Sequence, residues 1–359
     1  MKKILDKSIS YLDTRLMLSK IRDVAKKKKV PEHRYSFWYY FGGICLFLFI
    51  IQVITGILLL LYYKPTMDSA FESVQFLMTH VKFGWLIRSV HSWTANILIG
   101  AIFIHMFSTF FMKAYRPPRD LTWVTGFFLL LIFLAFGFSG YLLPWNELSF
   151  FATRVGTDIA GTLPLIGKAI KAFVLGGTDV SDATITRFFW LHIAILPIFA
   201  TLFLGLHVLL VQILGMSRPV GLQEKKEREV PFFPNFILKD AIGWMSILTL
   251  VGILCVFYPW ELGKKADIFA TTPLGIKPEW YFTFMFTTLK IVPAHIFSLE
   301  GEMLAILGFM AGGFVWLLTP YLDRKSRLEK KSPGFTVFGL LILVYIIIMT
   351  AVTYLHPSL

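Results

Sequence analysis

The chain has 359 residues, 56% of them hydrophobic and only 16% charged, with a mean hydropathy of +0.67. A soluble domain carries about 25% charged residues, so this composition argues against a water-soluble enzyme. The net charge of +13 resembles a nucleic-acid signature only until the charges are located: 11 of the 35 Lys and Arg lie in residues 1–34, and most others fall between apolar runs. No nucleic-acid partner is expected. Cys45 and Cys255 both lie in apolar runs, which leaves no disulfide framework and no CxxCH haem-attachment motif. The first 30 residues lack an apolar h-region and are expected not to form a cleaved signal peptide.

Seven long uncharged runs follow in chain order: 35–63, 89–112, 121–146, 188–217, 241–260, 303–322 and 332–359. A helix of about 20 residues spans a bilayer core, and all seven runs reach that length. An all-α integral membrane protein follows, divided into a basic segment 1–34, a four-helix part 35–217, a connection 218–240 and a three-helix part 241–359. The stretches between Pro144 and Arg187 and over 259–301 are too long for simple turns and are expected to hold surface helices. Basic residues set the direction. With the N-terminus inside, the inner segments 1–34, 113–120, 218–240 and 321–331 hold 24 Lys and Arg, against 11 in the longer outer segments. A multi-pass protein of the cell's inner membrane with a cytoplasmic N-terminus is expected. Lys26, Lys27, Lys28 and Lys29 then either meet anionic lipid headgroups or form a solvated tail that only sets topology.

Four of the eight histidines fall within two of these runs: His91 and His105 on the second, His192 and His207 on the fourth. Both runs cross in the same direction, so His91 pairs with His192 near the outer face and His105 with His207 near the inner face. Fourteen helical steps rise about 21 Å and return to within about 40° of the starting face; fifteen rise about 22 Å and end about 60° round. Ionisable groups inside a bilayer are costly and default to function. A single such histidine reads as a hydrogen-bonded core residue; four in this array read as two pairs of axial ligands for low-spin haem. Zinc fits less well, because no carboxylate or thiolate completes its shell. Gly42 and Gly56 on the first helix, and Gly126 and Gly140 on the third, repeat the spacing of thirteen intervening residues seen between His91 and His105. Glycine lets a backbone approach a large flat group, so a four-helix bundle clasping two stacked macrocycles is expected, although small-residue helix packing alone also uses glycine.

The segments RSVHSWTANILIGAIFIH (88–105), PRDLTWVTG (118–126), GYLLPWNE (140–147), TRFFWLH (186–192) and PEWY (278–281) occur in that order. On these motifs the chain resembles cytochrome b of the cytochrome bc and b-f complexes over nearly its full length. The fourteen residues between His192 and His207, and the seven crossings, resemble the b-f type, with its two usual chains fused. The resemblance implies a di-haem subunit of a quinol:electron-acceptor oxidoreductase that binds two non-covalent haem b groups. Quinol oxidation on the outer side would send one electron to a Rieske iron–sulfur partner. The other would cross to a quinone inside, with protons released outside. It further implies a c-type cytochrome subunit, surrounding membrane lipid and a homodimeric complex.

The same resemblance assigns residues. Pro278, Glu279, Trp280 and Tyr281 match the quinol-site motif, with Glu279 as proton acceptor and Tyr281 beside it. A carboxylate at the edge of an apolar pocket suits that task, because desolvation raises its pKa. Arg88 and Arg187 match arginines expected near haem propionates. Ser108 stands where the family often has Arg, which leaves Arg119 as a substitute at the inner haem. The segment VPFFPNFILKDAIGW (230–244) resembles the respiratory branch; Lys239 and Asp240 match its inner quinone-site pair, and Gln212 stands where that branch commonly has His. Tyr40 occupies the position at which b-f relatives bind an extra haem through Cys, so no covalent haem c is expected. Two other readings stay open: a haem b anchor of another quinone-linked dehydrogenase, which needs no PEWY, and a polytopic transporter whose histidines relay protons.

Overall fold

The computed structural model describes residues 2–220, 228–273 and 275–356, so residues 221–227 of the 218–240 connection lie outside the described residues. Helices α1 (Lys2–Leu16) and α2 (Leu18–Lys27) precede strand β1 (Lys29–Glu32) and the first crossing, α3 (Tyr40–Leu60). A short helix α4 (Ala70–His80) leads to α5 (Gly84–Phe111), and α6 (Asp120–Leu142) returns. The expected surface helices follow as α7 (Glu147–Gly161) and α8 (Gly167–Leu175). At the start of α7, Asn146 accepts from Ser149 N, and the Ser149 hydroxyl accepts from Asn146 N in return, so two end groups are satisfied together.

The fourth crossing is not one regular helix. It runs from α9 (Asp182–Trp190) through a π turn at Leu191–Ile195 into α10 (Leu196–Leu214). Pro197 has no N–H to offer the preceding turn, and Leu196 N bonds back to Leu191 O, five residues earlier. This turn holds His192 and absorbs one residue. The fifteen steps to His207 therefore stay in register with the fourteen steps of the facing helix.

Strand β2 (Arg228–Pro231) then leads to α11 (Ile237–Phe257), α12 (Trp280–Ile291), a two-residue hairpin β3 (His295–Ile296) and β4 (Leu299–Glu300), and α13 (Gly301–Leu317). Helices α14 (Thr319–Leu322), α15 (Arg324–Arg327) and α16 (Pro333–Leu355) complete the chain. Among the described residues six helical segments are long and apolar enough to cross a membrane, one fewer than the seven uncharged runs. The run 303–322 differs because α13 has only 17 residues and ends beside Pro320, whose ring cannot continue a straight helix. Its length of about 25 Å sits at the lower limit for spanning.

Helices α3, α5, α6 and α10 form the four-helix part, with α3 against α5 and α6 against α10; α11 covers α3 and α5. The segments expected on one side gather at one end. β1 pairs antiparallel with β2, Arg116 reaches Ser217 and the Arg218 carbonyl, and Tyr115 donates to Asp323 at 2.7 Å. The other three segments gather at the opposite end, where Asp182 accepts from Met67 N, Lys265 from the loop after α11 meets Glu72, and Trp145 O accepts from Ala266 N. Large apolar side chains on α10 and α16, such as Ile198, Leu202, Ile213, Leu341 and Ile348, stay exposed, as a lipid-facing surface requires.

Candidate functional site

The four histidines face the four glycines one to one. A Cβ placed on Gly42 would stand 3.2 Å from His105 Cε1, on Gly126 3.1 Å from His207 Cε1, on Gly140 2.6 Å from His192 Cε1 and on Gly56 3.5 Å from His91 Cε1. Each glycine therefore seats the ring at its own depth, two seats per end of the bundle. The His91 and His192 rings have centroids 6.5 Å apart. An imidazole nitrogen binds a metal at about 2 Å and lies about 1.2 Å from its ring centre, so an ion between two rings needs about 6.4 Å. The outer pair fits one iron between two axial imidazoles. Among the described residues no group of three or more His, Cys, Asp or Glu could hold a metal ion.

Helix positions explain these contacts. Hydroxyls on α3 and α6 meet three of the rings: Thr55 Oγ1 lies 2.9 Å from His91 Nδ1, Thr125 Oγ1 3.0 Å from His207 Nδ1 and Ser139 Oγ 3.1 Å from His192 Nδ1. The sequence reading missed these hydroxyls, although each directly precedes one of the paired glycines.

The arginines make other contacts first. Arg88, only 6% exposed, donates to the carbonyls of Trp260 at 2.5 Å and Glu261 at 3.1 Å and so ties the 259–301 loop to α5. Arg187 donates to the carbonyls of Phe173 and Ala172 at the end of α8. Arg119 donates to Leu214 O at 2.9 Å and Gly215 O at 3.0 Å, closing the C-terminus of α10. All three have carbonyl partners within the protein ahead of any propionate. Burial holds the Arg119 and Arg116 pKa values below the usual guanidinium range, and at Arg119 the neighbouring Arg116 charge adds to the effect.

Glu279 and Trp280 line an outer cavity of about 520 Å³, together with Trp93, Asn96, Tyr141 and Tyr354. Glu279 directly precedes α12, and its side chain does not cap that helix. Burial pushes its carboxyl pKa up to about 7. Trp280 Nε1 donates to Asn96 Oδ1 at 3.0 Å, which fixes the motif against α5. The Tyr281 phenol packs on Gly137, one turn from the His192 seat at Gly140, so the motif touches the outer seat through α6. Burial, then the Glu279 charge, keeps that phenol protonated well above the ordinary range. Lys277 reaches the Thr353 carbonyl and so anchors the end of α16, which carries Tyr354 into the cavity wall. Trp93, Asn96, Tyr141 and Tyr354 were not legible as site residues because they come to the motif from three different helices, α5, α6 and α16.

The three inner-side candidates engage three different partners. Asp240 packs on Gly43 of α3, and its Oδ1 has no hydrogen-bond partner among the described residues. Lys239 pairs with Glu32 at 3.3 Å. Gln212 accepts from Lys28, and Lys29 pairs with Glu229 at 3.5 Å, so two of the four clustered lysines make protein contacts. The Tyr40 ring stacks on Phe236 with centroids 4.8 Å apart.

Fold and site together define a polytopic helical membrane protein with two paired imidazole seats between four helices and, at one end, a cavity holding a half-buried carboxylate. The family described as Cytochrome b/b6/petB matches residues 25–215, and that described as Cytochrome b(C-terminal)/b6/petD matches residues 265–358. The chain is 52% identical to the cytochrome bc complex cytochrome b subunit of Chlorobaculum thiosulfatiphilum over 346 residues, covering 95% of this chain and 79% of that one. It is 39% identical to cytochrome b6 of Auxenochlorella protothecoides, over 60% of this chain and all of that one. A solved chain of a hyperthermophilic respiratory Complex III superposes with a TM-score of 0.85 at 30% identity, over 96% of this chain and 91% of that one. The chain belongs to the cytochrome b family: it is a haem-binding cytochrome b subunit of a bc-type complex, the catalytic core of a membrane quinol oxidoreductase. The transporter and dehydrogenase-anchor readings fall with that result.

Proposed function

We propose that the chain seats two non-covalent haem b groups, one between His91 and His192 and one between His105 and His207, and oxidises quinol in the cavity beside Glu279. The observation that carries this reading is the one-to-one facing of Gly42, Gly56, Gly126 and Gly140 with the four histidines. When bound, the haems would supply two one-electron carriers, held by His91 with His192 and by His105 with His207. The remaining work falls to the chain's own groups. A quinol must lose two protons with its two electrons. The Glu279 carboxylate accepts one from a quinol hydroxyl, its pKa of about 7 matching that exchange near neutral pH. Trp280 and Asn96 hold the motif in place, and aromatic side chains make up much of the cavity wall. Arg88 and Arg187 orient the outer end, and Arg119 the inner end.

Cys45 lies near the start of α3 and Cys255 near the end of α11, too far apart along the bundle to share the two-Cys, two-His shell of a Rieske cluster, and the chain has no c-type attachment motif. The Rieske protein and a c-type cytochrome are therefore placed on partner subunits. The inner quinone site is assigned to Asp240, whose orphan oxygen needs a donor, with Lys239 and Gln212 at its approach. The basic balance assigns the N-terminal side to the cytoplasm, and the family implies a homodimer. Reduced-minus-oxidised spectra with haem quantitation test the reading. Two b-type haems per chain, and no haem stain on the denatured polypeptide, are expected. A single haem per chain would overturn it.

A further inference from the structure

Three of the four histidine seats are built from one kind of dipeptide: Thr55–Gly56, Thr125–Gly126 and Ser139–Gly140. In each, the glycine faces a ring carbon and the hydroxyl before it faces that ring's Nδ1. The fourth seat is Phe41–Gly42. There His105 Nδ1 is buried with no hydrogen-bond partner among the described residues.

Each hydroxyl also has a carbonyl on its own helix. Thr55 Oγ1 donates to Ile51 O at 2.7 Å, Thr125 Oγ1 to Leu121 O at 3.0 Å and Ser139 Oγ to Phe136 O at 3.3 Å. A hydroxyl has a single proton. With that proton committed to the helix, the oxygen can only accept from the ring. Nδ1 must then carry the hydrogen, and Nε2 keeps the lone pair that a metal needs. His192 and His207 also meet backbone carbonyls, of Phe136 and Thr122, whereas Thr55 is the hydroxyl that serves His91.

We propose that Thr55, Ser139 and Thr125 are positioning residues that fix the ligand tautomer and strengthen the ligand's donation to iron, and that Phe41 withholds this support from His105. A ligand whose ring N–H is hydrogen-bonded is more basic and favours the oxidised metal. The outer seat has hydroxyls behind both histidines; the inner seat has one, behind His207. The outer haem is therefore held oxidised more firmly than the inner one, which favours electron flow inward. The inference rests on the four histidines being haem ligands.

The test is haem quantitation followed by potentiometric titration of each haem in the purified complex. Thr55→Val is expected to raise the outer haem's midpoint by up to a tenfold change in its oxidised-to-reduced ratio, which is 59 mV for one electron. The inner haem should not move, and Thr55→Ser should restore the original value. Phe41→Ser should lower the inner midpoint. Thr319→Val, which removes a buried hydroxyl that donates to Val315 O near the end of α13, should move neither. Loss of the outer haem in Thr55→Val, regained in Thr55→Ser, also supports positioning by the hydroxyl. Loss not regained by serine overturns it, and so do two retained haems with unmoved potentials. Failure of the ligand reading is separate: it appears as missing haem in the unsubstituted complex.

Discussion

The two ends of the bundle carry similar chemistry on different supports. At the outer end a half-buried carboxylate, Glu279, borders an open cavity whose surroundings are fixed by part-buried bonds to backbone: Arg88 on Trp260 and Glu261, and Asn146 Nδ2 on Leu262 O at 2.7 Å. At the inner end the buried carboxylate, Asp240, lies against Gly43, and the surrounding segments are joined by exposed ion pairs such as Lys239–Glu32 and Lys29–Glu229. Buried bonds to carbonyls hold geometry, because breaking them leaves unsatisfied groups. Exposed pairs contribute little and yield to salt. The walls beside Glu279 are held by bonds to carbonyls and the segments beside Asp240 by exposed pairs, while elsewhere at the inner end Tyr115 on Asp323 and Arg119 on the last carbonyls of α10 supply fixed bonds of the first kind.

The largest effect should come from removing a ligand. His105→Ala should abolish the inner haem and leave the outer one, because the two seats lie about 21 Å apart along α5. Spectra showing both haems unchanged would break the distinction between the ends.

Next comes the proton acceptor. Glu279→Gln should slow quinol oxidation roughly 10²-fold with both haems retained, since it removes a general base and no ligand. Only the deprotonated carboxyl accepts a proton, so the unsubstituted rate should rise with pH through about 7. The Gln variant should lack that rise. Equal pH profiles for the two proteins would make Glu279 a structural residue.

A finer comparison sits within the outer seat itself. Gly140→Ala puts a Cβ 2.6 Å from His192, while Gly56→Ala puts one 3.5 Å from His91, an ordinary contact. Outer-haem content should fall in the first variant and persist in the second. Equal content in both would mean that the glycines serve only helix packing.

The smallest effect is expected at the inner surface. Glu32→Gln removes the exposed partner of Lys239 and should change stability by less than about 1 kcal/mol in thermal unfolding. A large loss would show that the inner end is as rigid as the outer.

Much of this was legible along the chain because a bilayer imposes its demands locally. Apolar length makes a crossing, and an ionisable side chain within one must have a reason to be there. The crossings, the two histidine pairs, their four glycines and the PEWY loop were all readable from spacing and motif. Run length alone overstated 303–322, because hydropathy does not register the break at Pro320. The Ser/Thr–Gly dipeptides were visible too, but nothing in a linear reading says that a hydroxyl on α3 will meet a ring on α5.

Packing decided what spacing could not. It wound one extra residue into the π turn at Leu191–Ile195, so that His192 keeps level with His91. It turned Arg88 toward loop carbonyls and brought Trp93, Asn96, Tyr141 and Tyr354 around Glu279 from separate helices. The solvent a segment meets is set by its own composition, so sequence determined which segments are apolar enough to cross a membrane and where the four histidines lie along them. The partner of a polar atom is set by whichever neighbour the bundle places within hydrogen-bond reach, and that distance exists only once the helices have packed.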